Sequence, residues 1–181
     1  MQRNFRMSTL VCTIPDQTPI VKYEKHENIY IYQAQYRNLT IRIMVSEYYK
    51  NRVQFGKCRI RGYPVVKDFL EKKELLFFLL KIHKESESTR DYCSLSLNCT
   101  VDDIKHIRYH DNGEQYRDLT LGYQSPDGFV ALPVRVKGAL ARKCFTLETG
   151  DNILANFILT NALPLKAHLN HFTLKEKRKE K

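Results

Sequence analysis

Lys57, Arg59 and Arg61 recur at every second position, with Cys58 and Ile60 between them. In an extended strand that period puts three cations on one face, about 7 Å apart, close to the step between phosphates of a stretched polynucleotide. Tyr63 follows the row. Arg135 and Lys137 repeat the arrangement further along, and Lys81 follows the apolar run 75–80 that contains Phe77. Cations hold phosphates and neighbouring rings offer stacking surfaces. Lys57, Arg59, Arg61, Tyr63, Phe77, Lys81, Arg135 and Lys137 therefore form the candidate contact set. The competing explanation is a strand face that merely meets water. Phe55, Phe78, Phe145 and Phe157 are assigned to the core.

Other chemistry is thinner. Cys93, Cys99, His106 and His110 carry ligand types that suit zinc, but their spacing matches none of the common sites. Cys93, Leu95, Leu97 and Cys99 share one face of an alternating segment, which marks the cysteines as core. Asp102 and Asp103 are adjacent, so on a regular strand they point to opposite faces and cannot share an ion unless the strand bends there. A glycine-rich phosphate loop, a G-x-S-x-G elbow and an H-E-x-x-H pair are all missing from the sequence. The expectation is a protein that is not an enzyme, with no metal and no cofactor.

Thirty Lys+Arg against twenty Asp+Glu give a formal charge of +10, and the segment 166–181 supplies +4 of it. Such an excess favours a polyanionic partner. Five scattered cysteines are odd in number and point to a reducing compartment rather than a disulfide scaffold. No run approaches the ~18 apolar residues of a membrane span, and the N-terminal twenty residues lack the apolar core of a secretory signal. A short organellar presequence stays open.

These side chains have to be held by strands. Residues 1–27 read as a polar arm with Pro15 and Pro19. Residues 28–50 read as a β-hairpin, with Ile29, Ile31 and then Leu39, Ile41, Ile43 and Val45 in alternation and a turn near Asn38. A strand over 53–60 is expected to end at Gly62-Tyr63-Pro64. Residues 74–83 are apolar on both faces, as in a strand covered on both sides. Strands follow over 92–101 and 118–123. The run 130–136 alternates Val130, Leu132, Val134 and Val136 with Ala131, Pro133 and Arg135. Gly138 breaks it, Ala139 to Phe145 is helix-compatible, and Glu148 to Asp151 turns the chain into the apolar run 153–159. The Lys/Glu-rich end reads as a basic flexible tail.

The segment 127–164 resembles the closing third of the bacterial and mitochondrial single-stranded DNA-binding protein family. There a strand ends in Gly, a short helix carries an Ala pair, and a Leu-x-x-Gly-Asp turn leads to the next strand. Gly138, Ala139/Ala141 and Leu147/Gly150/Asp151 stand in those places. Residues 51–66 and 75–84 look like the family's first two strands. The resemblance implies an all-β fold: an OB-fold five-stranded barrel over 51–165 with one short helix. The 28–50 hairpin is then an extension and 166–181 a tail. It further implies non-catalytic binding of single-stranded DNA, with RNA as an alternative, and a homo-oligomer, dimer or tetramer. Replication, repair or recombination proteins are the implied associates, in a cytoplasmic, nucleoid-associated or organelle-matrix setting and away from membranes. The alternative is an OB-fold interaction subunit bridging proteins of such a complex. Two departures stand out. The family sets aromatic rings on the outward side of the third strand, where Ala131, Pro133, Arg135 and Lys137 stand here. Bacterial members end in an acidic tip, whereas this chain ends KEKRKEK. The expected contact is richer in charge and poorer in stacking, with a steep salt dependence.

Overall fold

The computed structural model describes residues 8–24, 26–69, 72–125, 128–159 and 167–177. The chain divides into two compact units, one ending at Leu95 and the other running from Ser96. Each is a closed five-stranded barrel.

In the first unit β1 (Ser8–Ile14) and β2 (Ile20–Glu24) are followed by β3 (Glu27–Tyr36) and β4 (Leu39–Ser46). A 3-10 turn over 47–52 then leads to β5 (Gly56–Phe69) and β6 (Lys72–Lys84). β1 pairs antiparallel with β5 along its whole length and meets β3 at Thr13↔Gln35. β3 pairs with β4, β4 runs parallel to β6, and β6 returns antiparallel to β5. The ring closes. Leu10, Ile14, Ile43, Ile60 and Leu79 are fully buried inside it, each worth about 1.5–3 kcal/mol of apolar transfer. The β3–β4 hairpin turns at Arg37, which alone of the two central residues has a positive φ, 53°.

The second unit repeats the plan. β7 (Tyr92–Ile104) pairs with β9 (Gln115–Ser125), with the two-residue β8 (Arg108–Tyr109) between them in the chain. β9 pairs with β10 (Gly128–Lys137), and helix α1 (Gly138–Lys143) leads to β11 (Asn152–Leu159) and β12 (Ala167–Glu176). β12 lies antiparallel to β11 and parallel to β10, while β11 neighbours β7. The all-β OB barrel is thus present twice over, with the short helix in the second unit. Its Leu-x-x-Gly-Asp turn has a structural task. The Gly150 N–H donates to Val101 O at 2.7 Å, the Val101 N–H donates to Asp151 O at 2.9 Å, and the Glu148 N–H donates to the fully buried Asp151 carboxylate at 2.9 Å. The turn ties β11 to β7.

This partition corrects the expected one. The 28–50 segment supplies the second and third strands of the first barrel rather than an extension. Residues 51–84 close that barrel instead of opening the next. The strands expected over 92–101 and 118–123 are the second barrel's first two, β7 and β9, rather than later strands of a single barrel. β5 passes through Gly62-Tyr63-Pro64 because a bulge between Arg61 and Gly62 absorbs the irregularity. A Cβ on Gly62 would sit 1.8 Å from the Phe78 carbonyl oxygen, so only glycine allows that approach. The expected arm holds β1 and β2, and the expected tail holds β12 with Leu169 and Phe172 buried.

Cys12, Cys58, Cys99 and Cys144 are core residues. Burial pushes the Cys12 and Cys99 thiols up to about 12, so they stay protonated.

Gly138 ends β10 with φ 55°, and a Cβ there meets nothing within 4 Å. Gly138→Ala should therefore cost only the left-handed backbone penalty, about 1–2 kcal/mol in a urea titration. A loss above about 4 kcal/mol would mean a packing role that this geometry lacks.

Candidate nucleic-acid interface

β5 and β6 position the first group of candidates, and they divide sharply. Lys57 is 8% exposed and ion-pairs with Asp91, whose carboxylate also accepts the Arg37 N–H. Burial pushes the Asp91 pKa up, but the hydrogen bonds from Lys57 and Arg37 outweigh it and hold the carboxyl below its ordinary 3.8. Lys57 is thus a brace for the β3–β4 turn. Arg59 is exposed and bonded to Glu85 at 2.7 Å. Tyr63 and Phe77 are 1% and 4% exposed, and Tyr63 stacks on Phe78 at 5.1 Å. Rings enclosed in this way have no face for a base, which corrects their assignment as stacking residues.

Arg61 and Lys81 remain. They lie directly opposite one another on β5 and β6, both exposed. Neither has an acidic partner among the described residues. Like charges facing across a ladder are unfavourable, so an anion placed there would relieve a repulsion. On the outward side of β3 and β4, Gln33, Gln35 and Thr40 are polar, and Arg42 is paired with Glu74. Burial lowers the Arg42 pKa. Beyond β4, Arg52 sits 4.9 Å from the ring centre of Tyr48, which is 70% exposed, and 5.3 Å from that of Tyr49.

Arg135 and Lys137 belong to the second barrel, so they do not share a strand face or a barrel with the 57–61 row. Arg135 forks onto Asp118 at 2.7 and 2.9 Å and lies 4.4 Å from the Tyr116 ring centre. Its pKa is raised by the Asp118 hydrogen bond, and its fork is filled. Lys137 is exposed, 3.6 Å from Glu114.

The outward side of β10 has its ring after all. The alternation Lys137, Arg135, Pro133, Ala131 continues one step to Phe129, which is 64% exposed. It borders a groove of about 530 Å³ that runs over Asn98, Thr100, Gly122, Gln124 and Asn152 to Lys175. The sequence signal was available, since the same period extended past Val130 reaches it. Phe145, assigned to the core, is 66% exposed with the Arg117 guanidinium 5.0 Å from its ring centre. It follows a helix of six residues, too short to define an inward face.

No family model matches the chain, and no curated protein matches it. Among solved structures, a deletion variant of the single-stranded DNA binding protein from Thermus aquaticus superposes with a TM-score of 0.76 at 15% identity, over 99% of this chain and 98% of that one. The wild-type protein from the same organism gives 0.73 at 14% identity, over 98% and 97%. The chain shares the fold of these two structures. The likeness extends through both barrels rather than the last third alone. At this identity the superposition carries the fold, and the contact residues rest on the geometry above.

The two kinds of cation should separate in stability. Lys57→Gln or Asp91→Asn is expected to cost about 3 kcal/mol at pH 7, because each strands the other charge. The folded Asp91 pKa lies below its unfolded value, so the pair's contribution is complete above about pH 4 and disappears as pH falls through the folded value. Asp91→Asn should accordingly flatten the acid limb of a stability–pH curve. Arg61→Gln with Lys81→Gln should leave stability unchanged or raise it by up to about 1 kcal/mol. Equal destabilisation by both sets would contradict the division.

Proposed function

We propose that the chain binds single-stranded nucleic acid, DNA in the first instance, and catalyses no reaction on it. The observation that carries this reading is the pair of OB barrels, alike over nearly the whole chain to proteins whose name states that they bind single-stranded DNA. OB barrels hold unpaired strands across the outer face of their second and third strands. Here that face in the second barrel carries the exposed Phe129 and Lys137. The first barrel adds the unopposed Arg61 and Lys81, which lie on β5 and β6 rather than on its second and third strands. Arg59 and Arg135 contribute weakly because their partners must first be displaced. Lys57, Tyr63 and Phe77 serve the fold.

Such coating suits replication, repair and recombination, where transient single strands need protection. No helix among the described residues is long and apolar enough to cross a membrane. A cytoplasmic, nucleoid-associated setting agrees with the reading, and a second copy of the chain is the proposed structural partner. Its place is β2, which pairs only with β3 among the described residues and shows Ile20, Val21 and Tyr23 to solvent. A free apolar edge of that kind recruits another strand.

Fluorescence anisotropy with labelled oligo-dT and a duplex of equal length, at two salt concentrations, tests the function. Oligo-dT should bind more tightly, with affinity falling as salt rises. Arg61→Gln with Lys81→Gln should shrink the log–log salt slope by about 1.4, because each phosphate that a cation neutralises on a single strand adds about 0.7 to it. Duplex bound as tightly as oligo-dT would remove the reading.

A further inference from the structure

Asp102 is the residue left over where β7 bulges. Its ladder with β9 runs Thr100↔Gly122 and Val101↔Leu121, then jumps to Asp103↔Thr120. A bulge re-aims the side chain it leaves unpaired. The bend that would let Asp102 and Asp103 share an ion is therefore real, yet Asp103 is spent on Lys105 at 2.7 Å. Asp102 instead leans over Gly122. A Cβ on Gly122 would lie 2.4 Å from the Asp102 Oδ2 and 2.4 Å from the Phe129 Cζ. Carboxylate and ring edge thus meet over one bare stretch of backbone at the border of the groove.

Asp102 has no hydrogen-bond or ion-pair partner among the described residues. Partial burial raises its pKa. A phosphate is repelled from such a point, whereas a group with N–H donors is drawn to it, because an ionised carboxylate only accepts hydrogen bonds. Phe129, mostly exposed, supplies the adjoining flat surface. Lys175, on the same groove, can meet the backbone of the strand that delivers the base.

We propose that Phe129 and Asp102 form a base-reading subsite, in which the ring stacks a base and the carboxylate accepts a hydrogen bond from its exocyclic amino group. Cytosine offers its N4 amino group to a carboxylate in this way, while thymine and uracil present an O4 acceptor at that position. The subsite therefore discriminates against thymine and uracil within a single strand. This inference rests on the single-strand reading above.

The test compares the dissociation constants for oligo-dT and oligo-dC in the full chain and in Asp102→Asn. Asparagine keeps the shape but adds a donor that suits thymine O4. The ratio Kd(dT)/Kd(dC) should fall by about fivefold or more in the variant. Gly122→Ala should lower the ratio in the same direction, since its Cβ displaces both groups. Phe129→Leu should weaken both oligonucleotides by about fivefold or more, as removal of one stacked base does. If both oligonucleotides bind and the ratio moves by less than twofold in Asp102→Asn, the subsite is refuted while single-strand binding stands. If neither binds the unaltered chain, the single-strand reading fails and takes the subsite with it.

Discussion

Each barrel depends on its first strand pairing on both sides. β1 hydrogen-bonds with β5 and reaches β3, and β7 pairs with β9 and neighbours β11. Without that double pairing, the strands on either side would expose rows of unmet N–H and C=O groups. Closing so small a ring forces sharp bends, and bulges supply them at Arg61/Gly62, Val101/Asp103 and Asn156/Phe157. One of those bends also sets the direction of Asp102. Fold closure and surface chemistry are coupled through the same irregular residues.

The electrostatics follow a similar division. Of the eight residues singled out by type and spacing, one cation and two rings are enclosed by the first barrel. Two arginines are already matched by carboxylates. The surplus that can act at a distance is smaller than a formal charge of +10 suggests. Arg61 and Lys81 count for more than their neighbours because no acid answers them among the described residues, and an anion arriving there relieves a repulsion that folding created.

How much of this is legible in the sequence depends on whether a pattern stays regular. The alternations at 28–45 and 130–137 are readable because each strand keeps its period, and the turn at Gly138 because a glycine adopts its positive φ of 55° without strain. β12 is concealed since its buried Leu169 and Phe172 are three apart. The bulge opposite Asn156 and Phe157 inserts a residue and hides the period of two. β1 is masked by the Ser and Thr interleaved with its apolar positions. Two barrels read as one because β5 and β6 look like opening strands until their partners are known. Lys57 reads as a surface cation because Asp91, 34 positions away, leaves no mark in the local sequence. Tyr63 and Phe77 look accessible beside charged neighbours, while the segments bearing them, 62–65 and 75–77, are buried at every position. Phe129 needs no more than a longer count along β10.

The proposed contact in the second barrel turns on an unpaired strand lying along the outward face of β9 and β10. Ultraviolet cross-linking of a mixed-sequence single-stranded oligonucleotide, followed by peptide mapping, tests that placement most directly. Adducts should fall on the peptide containing Phe129 and vanish when an unlabelled oligonucleotide competes. Competable adducts that leave the β9–β10 hairpin untouched would contradict it.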